Sequence, residues 1–152
     1  MATDSEKAIS TLNDLIETCR DGEKGFRTAA ENVKGAELKT LFSRFSQQRA
    51  QCAAELQNEV RRLGGDPEKS GSAVGAIHRG WMDIKSAVTG KADRAIITEC
   101  ERGEDSSVKN YEEALKKNLP ADVYVLVNRQ YNEIKQAHDR IRSLELSTGA
   151  AS

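Results

Sequence analysis

Apolar positions recur through most of this chain of 152 residues at alternating spacings of three and four, the pattern of amphipathic helices. Thr3 followed by Glu6 is a capping-box start. Behind it Ile9, Leu12, Ile16, Cys19, Glu23, Phe26, Ala30 and Val33 form one stripe. Asp21-Gly22 and Gly25 are turn signals inside it, and each glycine costs up to about 1 kcal/mol relative to alanine. The stripe keeps its phase on both sides of them, so it predicts a single helix over 5–34, with Gly35 suited to the residue after its end.

A second stripe, Leu38, Phe42, Phe45, Arg49, Cys52, Leu56, Glu59 and Leu63, predicts a helix over 36–63 that stops at Gly64-Gly65-Asp66-Pro67. The third helix, over 92–117, carries two adjacent stripes. One is small (Ile96, Cys100, Gly103, Ser107, Ala114) and allows close helix approach; the other is Ile97, Glu101, Glu104, Val108, Tyr111 and Leu115. The fourth, over 120–146, opens on Pro120, places Asp122 near the positive dipole end, and repeats Val123, Val127, Gln130, Ile134, Ala137, Ile141 and Leu144 as a heptad. Between the second and third helices runs a long connection, Asp66 to Lys91, in which Ser72 can cap a short helix carrying Ile77, Trp81, Ile84 and Val88. Two hairpins joined this way predict an all-α four-helix bundle with a long helical crossover and crossing angles near 20°. The whole chain reads as one domain, with its core over 5–146 and a frayed tail over 147–152.

Composition narrows the function. Lys and Arg number 23 against 24 Asp and Glu, so neither nucleic acid nor an anionic membrane is expected as a bulk electrostatic partner. No apolar run approaches the roughly 18 residues of a membrane span, and the opening MATDSEKAIS has neither a basic region nor an apolar signal core, which predicts a cytoplasmic location. Two prolines, three phenylalanines and abundant Ala, Glu, Lys, Leu and Arg favour long helices. Cys19, Cys52 and Cys100 form no CxxC pair, fit a reducing compartment and read as small buried hydrophobes.

The chemistry lies in the acids. In ECERGED, Glu101 and Glu104 continue an inner stripe whereas Glu99 and Asp105 do not. Glu23 is in phase in the first helix, Glu55 and Glu59 lie on or beside the inner face of the second, and Gln130 with Glu133 does so in the fourth. Counting from each turn at about 1.5 Å per residue puts Glu104 opposite Glu133, Glu23 level with Gln48 and Arg49, and Cys19 level with Cys52. Two readings follow. Inward carboxylates can hold a pair of divalent ions such as Fe²⁺ or Mn²⁺, which repay their desolvation. Alternatively Arg49 neutralises Glu23, while Glu101 and Glu104 reach solvent or basic neighbours such as Arg102 and Lys135.

The segments LNDLIETCRDGEKGF, RAQCAAELQNEVRRLGGDPEKSGS, HRGWMDIKSAVTG, ECERGED and QAHDRIR, in this order, resemble an uncharacterised bacterial family of ferritin-like four-helix bundles over nearly the whole chain. The resemblance implies a ferritin-like fold and an ancestral link to di-iron carboxylate proteins. Those proteins take one Glu from each of two helices and a Glu-x-x-His from each of the others. Here Glu55 is followed at the third position by Asn58 and Glu133 by Gln136, so both expected histidines are absent; Gln130 resembles the glutamine that some ferritins use on the last helix. The candidate metal ligands are Glu23, Glu101, Glu104 and Glu133, with Gln130, Glu55 and His138 peripheral, and the ions Fe or Mn.

His138, one position off the heptad and level with Glu101, reads as a carboxylate-paired histidine or a ligand. His78 and Trp81 read as packing groups of the connection. No Ser-His-Asp, Cys-His or phosphate-loop arrangement appears, so no catalytic residue is assigned and only metal-dependent redox activity is left open. Two functions stand side by side: a metal-binding bundle, and a metal-free structural or interaction protein whose inward acids form ion pairs. The sequence assigns no small-molecule partner and leaves a homo-oligomer open.

Overall fold

A computed structural model of the chain describes residues 4–67, 81 and 92–150. Four helices lie among the described residues: α1 (Asp4–Asn32), α2 (Ala36–Arg62), α3 (Asp93–Leu115) and α4 (Ala121–Ala150). The expected crossover helix with its Ser72 cap, His78 and Thr3 of the capping box lie outside the described residues. Helix α1 runs without a break through Gly22 and Gly25, because the apolar face buried on either side outweighs two local propensity losses. Helix α4 remains helical to Ala150, beyond the boundary expected at 146.

The helix ends are set by local chemistry. Asp93, the first residue of α3, accepts the backbone N–H groups of Lys34 and Gly35 at 2.8 and 3.1 Å. Its carboxylate therefore ties the α1–α2 turn to the start of the second hairpin. Gly64 sits at φ 86° and lets Gly65 N–H return to the Val60 carbonyl at 2.9 Å, which closes α2 with a left-handed residue that only glycine adopts without strain. Pro120 immediately precedes α4, and its carbonyl accepts Tyr124 N–H at 2.9 Å.

Hairpins α1–α2 and α3–α4 are the most extensive contacts, α1 packs on α3, and α2 barely meets α4. Two apolar clusters fill the interior. One gathers Leu12, Leu15, Ile16, Leu56, Val60, Tyr111, Val123, Val127 and Ile134; the other gathers Phe26, Ala29, Val33, Phe42, Trp81, Ile96, Ile97, Cys100 and Ile141. Trp81 belongs to the second cluster, edge-on to Phe26 with ring centroids 5.1 Å apart. It occupies notches made by two glycines: a Cβ on Gly25 or Gly103 would lie 2.2 or 2.4 Å from indole carbons. The small stripe of α3 thus makes room at Gly103 for an aromatic ring from the inter-hairpin segment, and not only for a neighbouring helix.

Candidate functional site

Between the two clusters lies a polar layer. Arg49 of α2 and Glu104 of α3 form a bidentate pair in which each guanidinium Nη meets one carboxylate oxygen, and the two side chains are 1% and 0% exposed. The guanidinium also lies over the Phe26 ring at 5.3 Å, and Gly22 leaves it space, since a Cβ there would stand 3.1 Å from Arg49 Nη1. Burial opposes the charge of Arg49, but Glu104 restores it and holds its pKa above the ordinary value. A fork of this kind satisfies two acceptor oxygens with parallel donors.

The other candidate acids are dispersed. Glu23 stays at the edge of α1 and pairs with Arg27 at 3.0 Å, while its backbone carbonyl accepts the Ser46 hydroxyl. The expected Arg49–Glu23 pairing is therefore replaced by Arg49–Glu104. The reason is that Glu104 faces the bundle interior, whereas Glu23 has a basic partner one turn along its own helix. Glu133 does not face Glu104. It and Glu55 share Arg129, at 3.0 and 2.9 Å. Gln130 is fully buried, receives the Tyr111 hydroxyl at 2.8 Å, and donates to Glu55 and to the Cys52 carbonyl at 2.9 and 3.2 Å.

Cys19 and Cys52 both belong to the first apolar cluster, and Cys52 Sγ lies 3.9 Å from the Glu133 carboxylate. Cys19 Sγ is 3.1 Å from the Tyr111 hydroxyl. All three cysteines are free and buried. Burial raises the Cys19 thiol, but the neighbouring Cys52 thiol, the Tyr111 hydroxyl and the charge of Arg49 bring it below its usual value. Burial, together with the negative charges of Glu104 and Glu99, pushes Cys100 well above the ordinary range.

A second polar group lies on the α3–α4 seam. His138 Nε2 bonds the Asp105 carboxylate, and its Nδ1 is 3.1 Å from Asp139. Burial works against the imidazolium, but these two bonds raise its pKa above the usual value. The neighbouring Glu145 carboxyl and burial push the pKa of Glu101 up to about 7, against the opposing pull of Arg142. One ligand atom each of Glu101, Asp105 and His138 lies within 4.8 Å of the others, the one such cluster of three potential ligands found among the described residues. The sequence pattern had placed Asp105 off the inner stripe, and it is indeed exposed. Neither periodicity nor height records that the edges of α3 and α4 meet.

The family model described as a domain of unknown function, DUF2383, matches residues 7–117. The chain belongs to this family. Its fold is similar to that of a solved point mutant of Mycobacterium smegmatis Dps1, at 14% identity and a TM-score of 0.79, covering 93% of this chain and 97% of that one. This DUF2383 chain is therefore a ferritin-like four-helix bundle; at that identity the likeness establishes the fold alone. No curated protein matches significantly. No helix among the described residues is long and apolar enough to cross a membrane.

Proposed function

We propose that this protein is a ferritin-like bundle whose centre is closed by an ion pair, with a structural or interaction role in place of core metal chemistry. The observation that carries this reading is the Arg49–Glu104 fork, buried between the two apolar clusters. A di-iron or di-manganese pair does not fit such a centre. Its one fully buried carboxylate already has both oxygens on a guanidinium, and a fixed positive charge beside divalent ions is repulsive. Asn58 and Gln136 stand where imidazole ligands would be needed. Glu55 and Glu133 are held by Arg129, and Glu23 by Arg27.

A second reading rests on the seam. The carboxylates of Glu101 and Asp105 with the imidazole of His138 make a mixed oxygen–nitrogen set suited to one borderline divalent ion, Mn²⁺ or Fe²⁺. Equilibrium binding of Mn²⁺, and of Fe²⁺ under anaerobic conditions, distinguishes the outcomes by stoichiometry. No bound ion supports the ion-paired bundle. One ion that is lost in Asp105→Asn and kept in Glu104→Gln supports the seam site. Two ions lost in Glu104→Gln would overturn the proposal and restore a core metal pair.

A further inference from the structure

Neither reading uses the open side of the bundle. Helices α2 and α4 barely meet, and toward the α1–α2 turn the gap between them is a groove of about 700 Å³, the size of a small-molecule site. We propose that this groove binds a single-chain fatty acid, its carboxylate held between Arg44 and Arg140 and its alkyl tail laid over Leu41, Ile97, Leu38 and Leu144. Arg44 belongs to α2 and Arg140 to α4, so the two cations stand on opposite walls. Both are exposed, and neither has an ion-pair partner among the described residues. The three leucines are half-buried, and Ile97 of α3 is buried at the base. Trp81 of the inter-hairpin connection lodges against Gly25 of α1 and Gly103 of α3, across the bundle from this groove.

The choice of ligand follows from how charge and apolar surface are laid out along the groove. Asp93 fixes the start of α3 at the α1–α2 turn, so α4 returns to that turn antiparallel to α2. The two helices are level where Gln130 Nε2 donates to the Cys52 carbonyl at 3.2 Å. Counting from there toward the turn at about 1.5 Å per residue puts Arg44 about 12 Å and Arg140 about 15 Å along, nearly at one height, and Leu38 and Leu144 both about 21 Å along. The groove thus has a cationic end and an apolar end. Two guanidinium groups facing each other present parallel N–H donors that match the two oxygens of a carboxylate. Glu37, the acid in the lining, stands at the apolar end. An acidic helix laid along the groove would meet that charge, whereas a fatty acid carries its only charge to the arginines and offers Glu37 a neutral tail.

The test is calorimetric titration of the full-length chain with hexanoate, octanoate, decanoate and dodecanoate, each below its micelle concentration. The expected stoichiometry is one molecule per chain. Affinity should rise up to about fourfold per methylene and level off once the tail reaches Leu38 and Leu144. Decanol, which has a similar tail and no charge, should bind roughly tenfold more weakly than decanoate. Arg44→Gln and Arg140→Gln, both at exposed positions, should melt as the parent does; each should weaken decanoate by about tenfold and leave decanol unchanged. Leu41→Glu should abolish binding by placing a carboxylate in the tail's path; should that variant not fold, the two arginine variants decide the matter alone. Saturable binding of decanoate that is absent, that decanol equals, or that survives both arginine substitutions would overturn the proposal. So would a dimer in sedimentation that either arginine substitution dissociates, which would give the groove to a second copy of the chain. Binding to phosphatidylglycerol vesicles as tight as binding to decanoate would overturn it too, in favour of a membrane surface.

Discussion

Replacing Glu104 by Gln isolates what the buried pair does, because the amide keeps the volume and discards the charge. Arg49 is then left with its guanidinium enclosed by Phe26, Gly22 and the two apolar clusters, at 1% side-chain exposure, where water cannot take over. Removing one member of a buried pair costs about 3–5 kcal/mol. In a chain of 152 residues each kcal/mol moves the melting temperature by about 2–4 °C, so a fall of roughly 10–15 °C is expected. Arg49→Met combined with Glu104→Leu removes both charges and retains contact with Phe26. That double variant should melt within about 4 °C of the parent, or above it, because buried pairs contribute little net stability against an apolar replacement. Thermal melts followed by circular dichroism, with chelator throughout, measure all four corners of the cycle. A Glu104→Gln variant as stable as the parent would refute the reasoning, and so would a double variant that loses as much as the single one.

Other perturbations separate the remaining features. Glu101 has a folded pKa of about 7, raised from its unfolded value by Glu145 and burial, so its contribution is full below about pH 4 and is lost as pH rises through 7. Stability should therefore decline between about pH 5 and pH 8, and Glu101→Gln should flatten that slope in pH-resolved melts; an unchanged slope would count against the Glu101–Glu145 contact. His138 acts in the same direction, since its raised pKa means that stability drains as pH climbs past the imidazole. Gly103→Ala places a methyl group 2.4 Å from the indole and should cost about 1–3 kcal/mol in denaturant titration, an effect that should shrink in a Trp81→Ala background. Tyr111→Phe removes the donor to Gln130 Oε1 and the contact with Cys19, and should cost about 1–3 kcal/mol by the same titration.

Much of this architecture was legible in the spacing of apolar residues. The four stripes placed each of the four described helices to within a few residues, and the in-phase continuation past Gly22 and Gly25 identified one long helix where propensity alone predicted a turn. The sequence also placed Arg49 and Glu104 on inner stripes. It did not pair them, because counting from a turn gives height along one hairpin, whereas this contact joins helices of different hairpins. Glu23 and Arg49 were level, but level residues meet only when both point to the same axis, and Glu23 lies at the edge of α1. The glycine notches were legible only as small residues. What fills them comes from the inter-hairpin segment, whose position no periodicity encodes. Asp105 and His138 show the remaining gap: each sits just off its stripe, and a binary sorting into inner and outer faces has no category for the seam between two helices.

The indole lodged against Gly25 and Gly103 has a practical consequence. It is the chain's single tryptophan, so its emission comes from one place: the point where the link between the hairpins is pinned to the bundle. Circular dichroism sees the four helices and is nearly blind to that point. Fluorescence sees that point and is nearly blind to the helices. If the ring leaves its notch while the bundle stays folded, the emission shifts to the red with no loss of ellipticity, and the protein thereby carries a built-in optical reporter of its own latch.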